Sequence, residues 1–117
     1  VLRLTRDWLA LAAVTAPELT TVPLRFGSVV PKRLARRAVD RNLIKRLLRE
    51  AARQAVPTLD RLQPTPMDVV FRLRKGLPPV AVLARAELRR ALRAEANALL
   101  DALGERLRRR AVQAGTP

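Results

Sequence analysis

The sequence predicts an α+β sandwich: a small sheet with helices packed on it. Three observations carry this: short apolar segments in the first third, two long stretches of helical periodicity, and one strand-like segment returning between them. At 117 residues the chain has room for one domain, 1–117, with a modest core.

The segment "DWLALAAV", Asp7 to Val14, is short, apolar and followed by the Pro- and Thr-containing "TAPELTTVP", which reads as a strand and then a loop. Helix is the competing reading, since Leu and Ala favour helices. "LRFGSVVPKR", Leu24 to Arg33, alternates and ends as a strand at Pro31, with Gly27 leaving a bare patch of sheet. Arg36 to Val56 is the most strongly periodic helix, and Pro57 is expected to close it. The connector "PTLDRLQPTPM" follows, with three Pro. "DVVFRLR", Asp68 to Arg74, is β-branched and reads as a strand leading into the loop "KGLPPV". From Arg85 to about Arg110, Leu88, Leu92, Leu99, Leu103 and Leu107 lie close to one stripe of a helix whose end Gly104 weakens.

With 24 Lys plus Arg against 10 Asp plus Glu, the formal charge is +14. Such a chain repels itself and favours a polyanionic partner, of which nucleic acid fits best. There is no Cys and no His, which removes disulfides, thiol nucleophiles, imidazole acid–base chemistry and the usual zinc ligand sets. The chain has neither an apolar run of about 18 residues nor a signal-peptide layout, so a cytoplasmic location is expected.

The charge is concentrated in "RRAVDRNLIKRLLREAARQ", Arg36 to Gln54. At 100° per residue, Arg41, Asn42, Lys45, Arg46, Arg49 and Arg53 fall within an arc of roughly 140°. Leu43, Ile44, Leu47, Leu48 and Ala51 take the other side. One side can pack on a sheet while the other carries cations about 6 Å apart along the axis, a spacing suited to phosphates. A solvated, ion-paired face is the default for a charge run. Asp40 and Glu50 are too few to neutralise the cations here, and Asn42 adds a donor and an acceptor suited to a sugar or base edge.

"AVDRNLIKRLLRE", Ala38 to Glu50, resembles the signature helix of the bacterial ribonuclease P protein subunit, with its Arg-Asn pair followed at fixed spacing by Lys-Arg and Arg-Glu. "RFGSVVPKR" is similar to the family's second strand and basic turn, and "DVVFRLR" to its later strand, so the likeness runs from about Trp8 to Leu107. The resemblance implies a two-layer α/β sandwich with a left-handed βαβ crossover, as in ribosomal protein S5 domain 2, against the usual right-handed rule. It implies a holoenzyme subunit: an endoribonuclease in which the RNA, with magnesium bound to it, performs the chemistry, and the protein alone binds no cofactor. The protein would contact ribonuclease P RNA and the 5′ leader of precursor tRNA. Carried over by motif position, Arg41, Asn42, Lys45, Arg46 and Arg49 would face the catalytic RNA, supported by Lys32, Arg33 and Arg37.

Two departures accompany the likeness. Leu43 stands where the family usually has a polar or basic residue after the Arg-Asn pair. Nothing before Trp8 is long enough for the family's N-terminal helix, which lends aromatic residues to the leader cleft. An uncovered sheet would favour dimer formation or segment exchange. Candidates for leader contacts are Trp8 and Phe26, whose rings offer stacking faces, and Arg25 and Arg72 for phosphates. Phe71 completes the aromatics, and core packing competes for all three rings. The basic cluster at Arg106 to Arg110 suits a helix end without any ligand.

Taken residue by residue, a ribosomal or other structured-RNA or DNA-binding scaffold remains the alternative. A helix-turn-helix is disfavoured because the connector after Pro57 leads into a strand. A self-sufficient nuclease is disfavoured because the ten acids are scattered singly.

Overall fold

The computed structural model of the chain describes residues 2–15, 24–62, 66–79 and 83–114. The element order is β1 (Leu2–Thr5), β2 (Leu9–Thr15), β3 (Leu24–Val29), α1 (Ala38–Leu62), β4 (Met67–Leu73) and α2 (Arg85–Ala114). The strands form one mixed sheet in the order β1-β2-β4-β3. β1 and β4 each pair antiparallel with β2, while β3 and β4 run parallel. A parallel pair needs a long crossover, and α1 supplies it.

Alternation divides the sheet into two faces. Leu9, Leu11 and Ala13 of β2 sit in register with Leu73, Phe71 and Val69 of β4. All six are buried beneath the helices, with Leu2 and Leu24 beside them. Each large side chain removed from water here contributes about 2 kcal/mol. The opposite face is uncovered among the described residues. One cross-strand row reads Arg3, Ala12, Val70, Gly27 and another reads Thr5, Ala10, Arg72, Val29.

The helices lie side by side and run in the same direction. Arg85 meets Asp40 near their starts, and Gly104 lies against Leu59 and Leu62 farther along. Ile44, Leu48, Ala51, Ala52 and Leu59 form the buried side of α1, and Leu88, Leu92, Ala96, Leu99, Leu103 and Leu107 that of α2. A single carboxylate ties α2 to the sheet: Glu95 Oε1 accepts the Trp8 amide at 2.8 Å and the Leu9 amide at 3.1 Å.

Several boundaries differ from expectation. Leu2–Thr5 is a strand that "LRLT" is too short to announce. The second strand starts at Leu9, not Asp7, because Asp7 and Trp8 form the bend joining it to β1. Helix α1 passes through Pro57 to Leu62, so the first half of the expected connector is helical; buried Leu59 and half-buried Leu62 pack against α2 and outweigh the missing proline N–H. Helix α2 passes Gly104 as expected and ends at Ala114, a turn beyond Arg110, with Leu103 and Leu107 on either side of the glycine buried. The expected loop at 16–23 and the stretches 63–65 and 80–82 lie outside the described residues.

Candidate nucleic-acid interface

Helix α1 shows the segregation its sequence requires. Asn42, Lys45, Arg46, Arg49 and Arg53 are exposed, whereas Ile44, Leu48, Ala51 and Ala52 are buried. Leu43 and Leu47 are half-buried on the flank facing α2. Lys45 and Arg49 occupy the other flank. With Phe26 and Ser28 they line a shallow groove between α1 and edge strand β3, with Leu48 and Phe71 behind.

Arg41 has a second task. Its Nη1 donates to the backbone oxygens of Ala35 at 3.0 Å and Arg36 at 2.8 Å, so the half-buried guanidinium ties down the segment leading into α1. Within that segment Pro31 O accepts the amides of Leu34 and Ala35, forming a turn that presents Lys32 and Arg33 to solvent. Arg37 O accepts the Asp40 and Arg41 amides, which puts an exposed arginine at the N-cap. Arginine offers no side-chain acceptor for the free amides of a first turn, and its charge opposes the helix dipole.

Several acids of the chain serve structural pairs. Asp40 binds Arg85 at 3.1 Å with only 9 % of its side chain accessible. Asp7 binds Lys75 at 2.9 Å, and Glu105 binds Arg108. Glu50 pairs with Arg53 at 2.9 Å; that hydrogen bond and the Arg53 charge hold its carboxyl below the usual range, helped by the charges of Arg93 and Arg49. Among the described residues no carboxylate lies within ion-pair distance of Lys32, Arg33, Arg37, Arg41, Lys45, Arg46 or Arg49. No three acidic side chains converge there either. No helix of the described residues is long and apolar enough to cross a membrane.

Of the eight residues assigned to catalytic RNA, Lys32, Arg33 and Arg37 lie on the segment leading into α1 and Arg41, Asn42, Lys45, Arg46 and Arg49 on α1 itself; Lys45 and Arg49 share the groove beside β3, and Arg37, Asn42 and Arg46 line another beside α2. The four leader candidates do not come together. Arg25 and Arg72 sit on the open face, but Arg25 is held in a two-pronged pair with Asp68, Nε–Oδ1 2.6 Å and Nη2–Oδ2 2.7 Å. Phe26 is on the helix-covered face, in register with Val69, half-buried and lining the groove beside Lys45 and Arg49. Trp8 lies at the β1–β2 bend, half-buried, with Lys75 Nζ 4.1 Å from its ring centroid. Phe71 is 1 % exposed and belongs to the core. Missed in the sequence were Arg3, which stands on the open face beside Ala12, and Arg89 of α2, which faces the first turns of α1. Leucine spacing locates α2 as a helix without saying which of its arginines adjoin α1.

The sequence that builds this arrangement is similar to those of known proteins. The family model described as Ribonuclease P covers residues 3–100, from β1 into the second half of α2. The ribonuclease P protein component of Bordetella avium is 42 % identical over 94 residues, covering 76 % of this chain and 69 % of the relative. That of Bordetella parapertussis is 43 % identical over 74 residues, 63 % of this chain and 54 % of the relative. That of Ralstonia pickettii is 39 % identical over 79 residues, 68 % and 53 % respectively. The chain thus spans between about half and about two-thirds of the length of these relatives. No solved structure matches it. With its basic helix, its parallel β3–α1–β4 unit and a family match over most of its length, the chain belongs to the ribonuclease P protein family.

Proposed function

We propose that this chain is the protein subunit of ribonuclease P, working as one RNA-binding domain that promotes endonucleolytic removal of the 5′ leader from precursor tRNA. The observation that carries the reading is the uncompensated cationic surface of Lys32, Arg33, Arg37, Lys45, Arg46 and Arg49, with Asn42 among them and Arg41 fixing the loop. Such a surface binds an RNA backbone and screens repulsion between two RNAs, which lowers the magnesium they need. Magnesium enters through the RNA and the hydrolysis is the RNA's own; the protein's residues bind and orient. The crossover through α1 is taken to be left-handed, as in ribosomal protein S5 domain 2.

Leader contacts are assigned to Arg72 on the open face, to Trp8 at its end and to Phe26 beside Lys45. Arg25 joins them where the phosphate displaces Asp68. Association of two copies through the open face is the competing use of that surface, and light scattering distinguishes it. A cytoplasmic location follows from the partner RNAs.

The test is a cleavage assay. The protein should stimulate precursor-tRNA cleavage by a bacterial ribonuclease P RNA at low magnesium and cleave nothing alone, and a Lys45→Ala/Arg49→Ala variant should lose that stimulation. Binding without stimulation would favour a scaffold protein instead, and equal affinity for duplex DNA would strengthen that alternative.

A further inference from the structure

Beyond the α1 face, a second cationic groove lies between the first turns of the two helices. Its walls are Arg37, Asn42 and Arg46 on one side and Arg89 on the other, with the Asp40–Arg85 pair at its base. Arg37, Arg46 and Arg89 are exposed, and among the described residues no hydrogen bond or ion pair joins the side chain of any of them to an acceptor. The groove's own acid, Asp40, is 7 % exposed and already engaged by Arg85. Three guanidinium groups thus face one concave surface in which the described residues offer no carboxylate beyond Asp40, already paired with Arg85.

These charges have a local cost in the free protein. Neighbouring parallel helices lie about 8–10 Å apart, so Arg46 and Arg89 repel across the groove. Arg37 at the N-cap also opposes the α1 dipole. Leu43, half-buried between them, adds no cation of its own, so beyond Arg37 and Arg46 the groove's charge comes from the other helix. A phosphodiester seated here would accept from guanidinium forks on two separate elements, a geometry that fixes direction as well as charge.

We propose that this inter-helix groove is a second phosphate-binding site for structured RNA, in which Arg89 of α2 and Arg37 and Arg46 of the α1 side grip one strand. The inference rests on the RNA-binding reading above and adds α2 to it. The α1 face then contacts one stretch of backbone and the groove an adjoining one, so the two helices are read together.

The experiment measures affinity for a bacterial ribonuclease P RNA transcript against salt concentration for the wild type, Arg49→Ala, Arg89→Ala, Arg89→Lys and Arg109→Ala. Arg109 is an exposed cation at the far end of α2 and serves as the control. Each lost phosphate contact makes the slope of log affinity against log salt shallower by about 0.7–0.9. Arg89→Ala should lose about one such step, with Arg89→Lys recovering part of it and Arg109→Ala unchanged. If Arg49→Ala flattens the slope while Arg89→Ala behaves like Arg109→Ala, the groove is not a site and the α1 reading stands. If neither Arg49→Ala nor Arg89→Ala changes the slope, the RNA-binding reading fails and this inference with it. Circular dichroism of each variant separates lost contact from lost fold, and among the described residues the Arg89 side chain makes no hydrogen bond or ion pair whose loss would unfold α2.

Discussion

Arg85 of α2 spans the start of the helix pair and binds Asp40 of α1, Nη2 to Oδ2 at 3.1 Å, while its Nη1 donates to Pro78 O at 3.2 Å. One side chain thereby joins the signature helix, its neighbour and the segment that follows β4. Asp40 precedes the Arg41-Asn42 pair, so the register of the candidate RNA-binding residues depends on a carboxylate that itself faces inward.

Replacing Asp40 with alanine should destabilise the fold by about 2 kcal/mol. A fully buried pair costs more to break, but Arg85 keeps 23 % of its side chain accessible and can recover some hydration. Urea unfolding should show Asp40→Ala and Arg85→Ala each destabilised, and the double variant less so than their sum. Strict additivity would show that the pair does not hold the helices.

Glu95 makes a comparable tie to the sheet. Glu95→Ala should cost about 1–3 kcal/mol because the Leu9 amide, in a residue with no exposed surface, loses its acceptor. Glu95→Gln keeps an amide oxygen in place and should cost less. Hydrogen exchange at the Trp8 and Leu9 amides should accelerate in the alanine variant alone.

These two acids mark where sequence reasoning stops. The amphipathic pattern of α1 puts Lys45, Arg46 and Arg49 outside and Ile44 and Leu48 inside with no tertiary knowledge, because helical geometry alone separates them. The strand at Met67–Leu73 is similarly plain from its β-branched run. Asp40 and Glu95 look like ordinary helix-surface acids, since their partners Arg85 and the Trp8 amide are 45 and 87 residues away. Arg25 reads as a free cation for the same reason: only the parallel pairing of β3 with β4 brings Asp68 opposite it. Local signals such as Pro57 mislead when packing farther along, here Leu59 and Leu62 against α2, favours continuation.

Gly104 offers a gain in stability. A Cβ built there would meet Leu62 Cδ1 at 3.9 Å and Leu59 Cδ2 at 4.0 Å, which is ordinary van der Waals contact. Gly104→Ala should therefore stabilise the protein by about 1 kcal/mol through helix propensity, with a small addition from packing against the leucines. Thermal unfolding should show a higher midpoint; a lower one would mean that the helices cannot accept the methyl.

The Arg25–Asp68 pair predicts a titration. The hydrogen bond from Arg25 and its charge hold the Asp68 carboxyl below the usual range against a smaller opposing effect of desolvation, and the Arg25 guanidinium is correspondingly raised. A carboxyl whose folded value is depressed stabilises the fold fully above the ordinary Asp value of about 3.9; that contribution is lost as the pH falls through the lower folded value. Carboxyl NMR should place the Asp68 midpoint below that of an unpaired Asp, and Arg25→Ala should move it upward. An unchanged midpoint in the variant would show that the pair does not persist in solution.

Arg41 separates charge from geometry within the interface. Its Nη1 spans two carbonyls, Ala35 O and Arg36 O, and so shapes the loop carrying Lys32, Arg33 and Arg37 as well as adding a cation beside them. Lysine keeps the charge but lacks the planar fork that holds this contact. Arg41→Lys should therefore leave the fold intact, as judged by circular dichroism, and speed amide exchange at residues 32–36. It should also weaken binding to ribonuclease P RNA by roughly 3- to 10-fold, about the free energy of one hydrogen bond. Lys45→Arg, which alters an exposed cation with no hydrogen-bond partner among the described residues, should change neither exchange nor affinity by more than about 2-fold, within the range of a neutral surface substitution. Equal effects of the two substitutions would mean that the interface responds to charge alone and that the loop needs no tether.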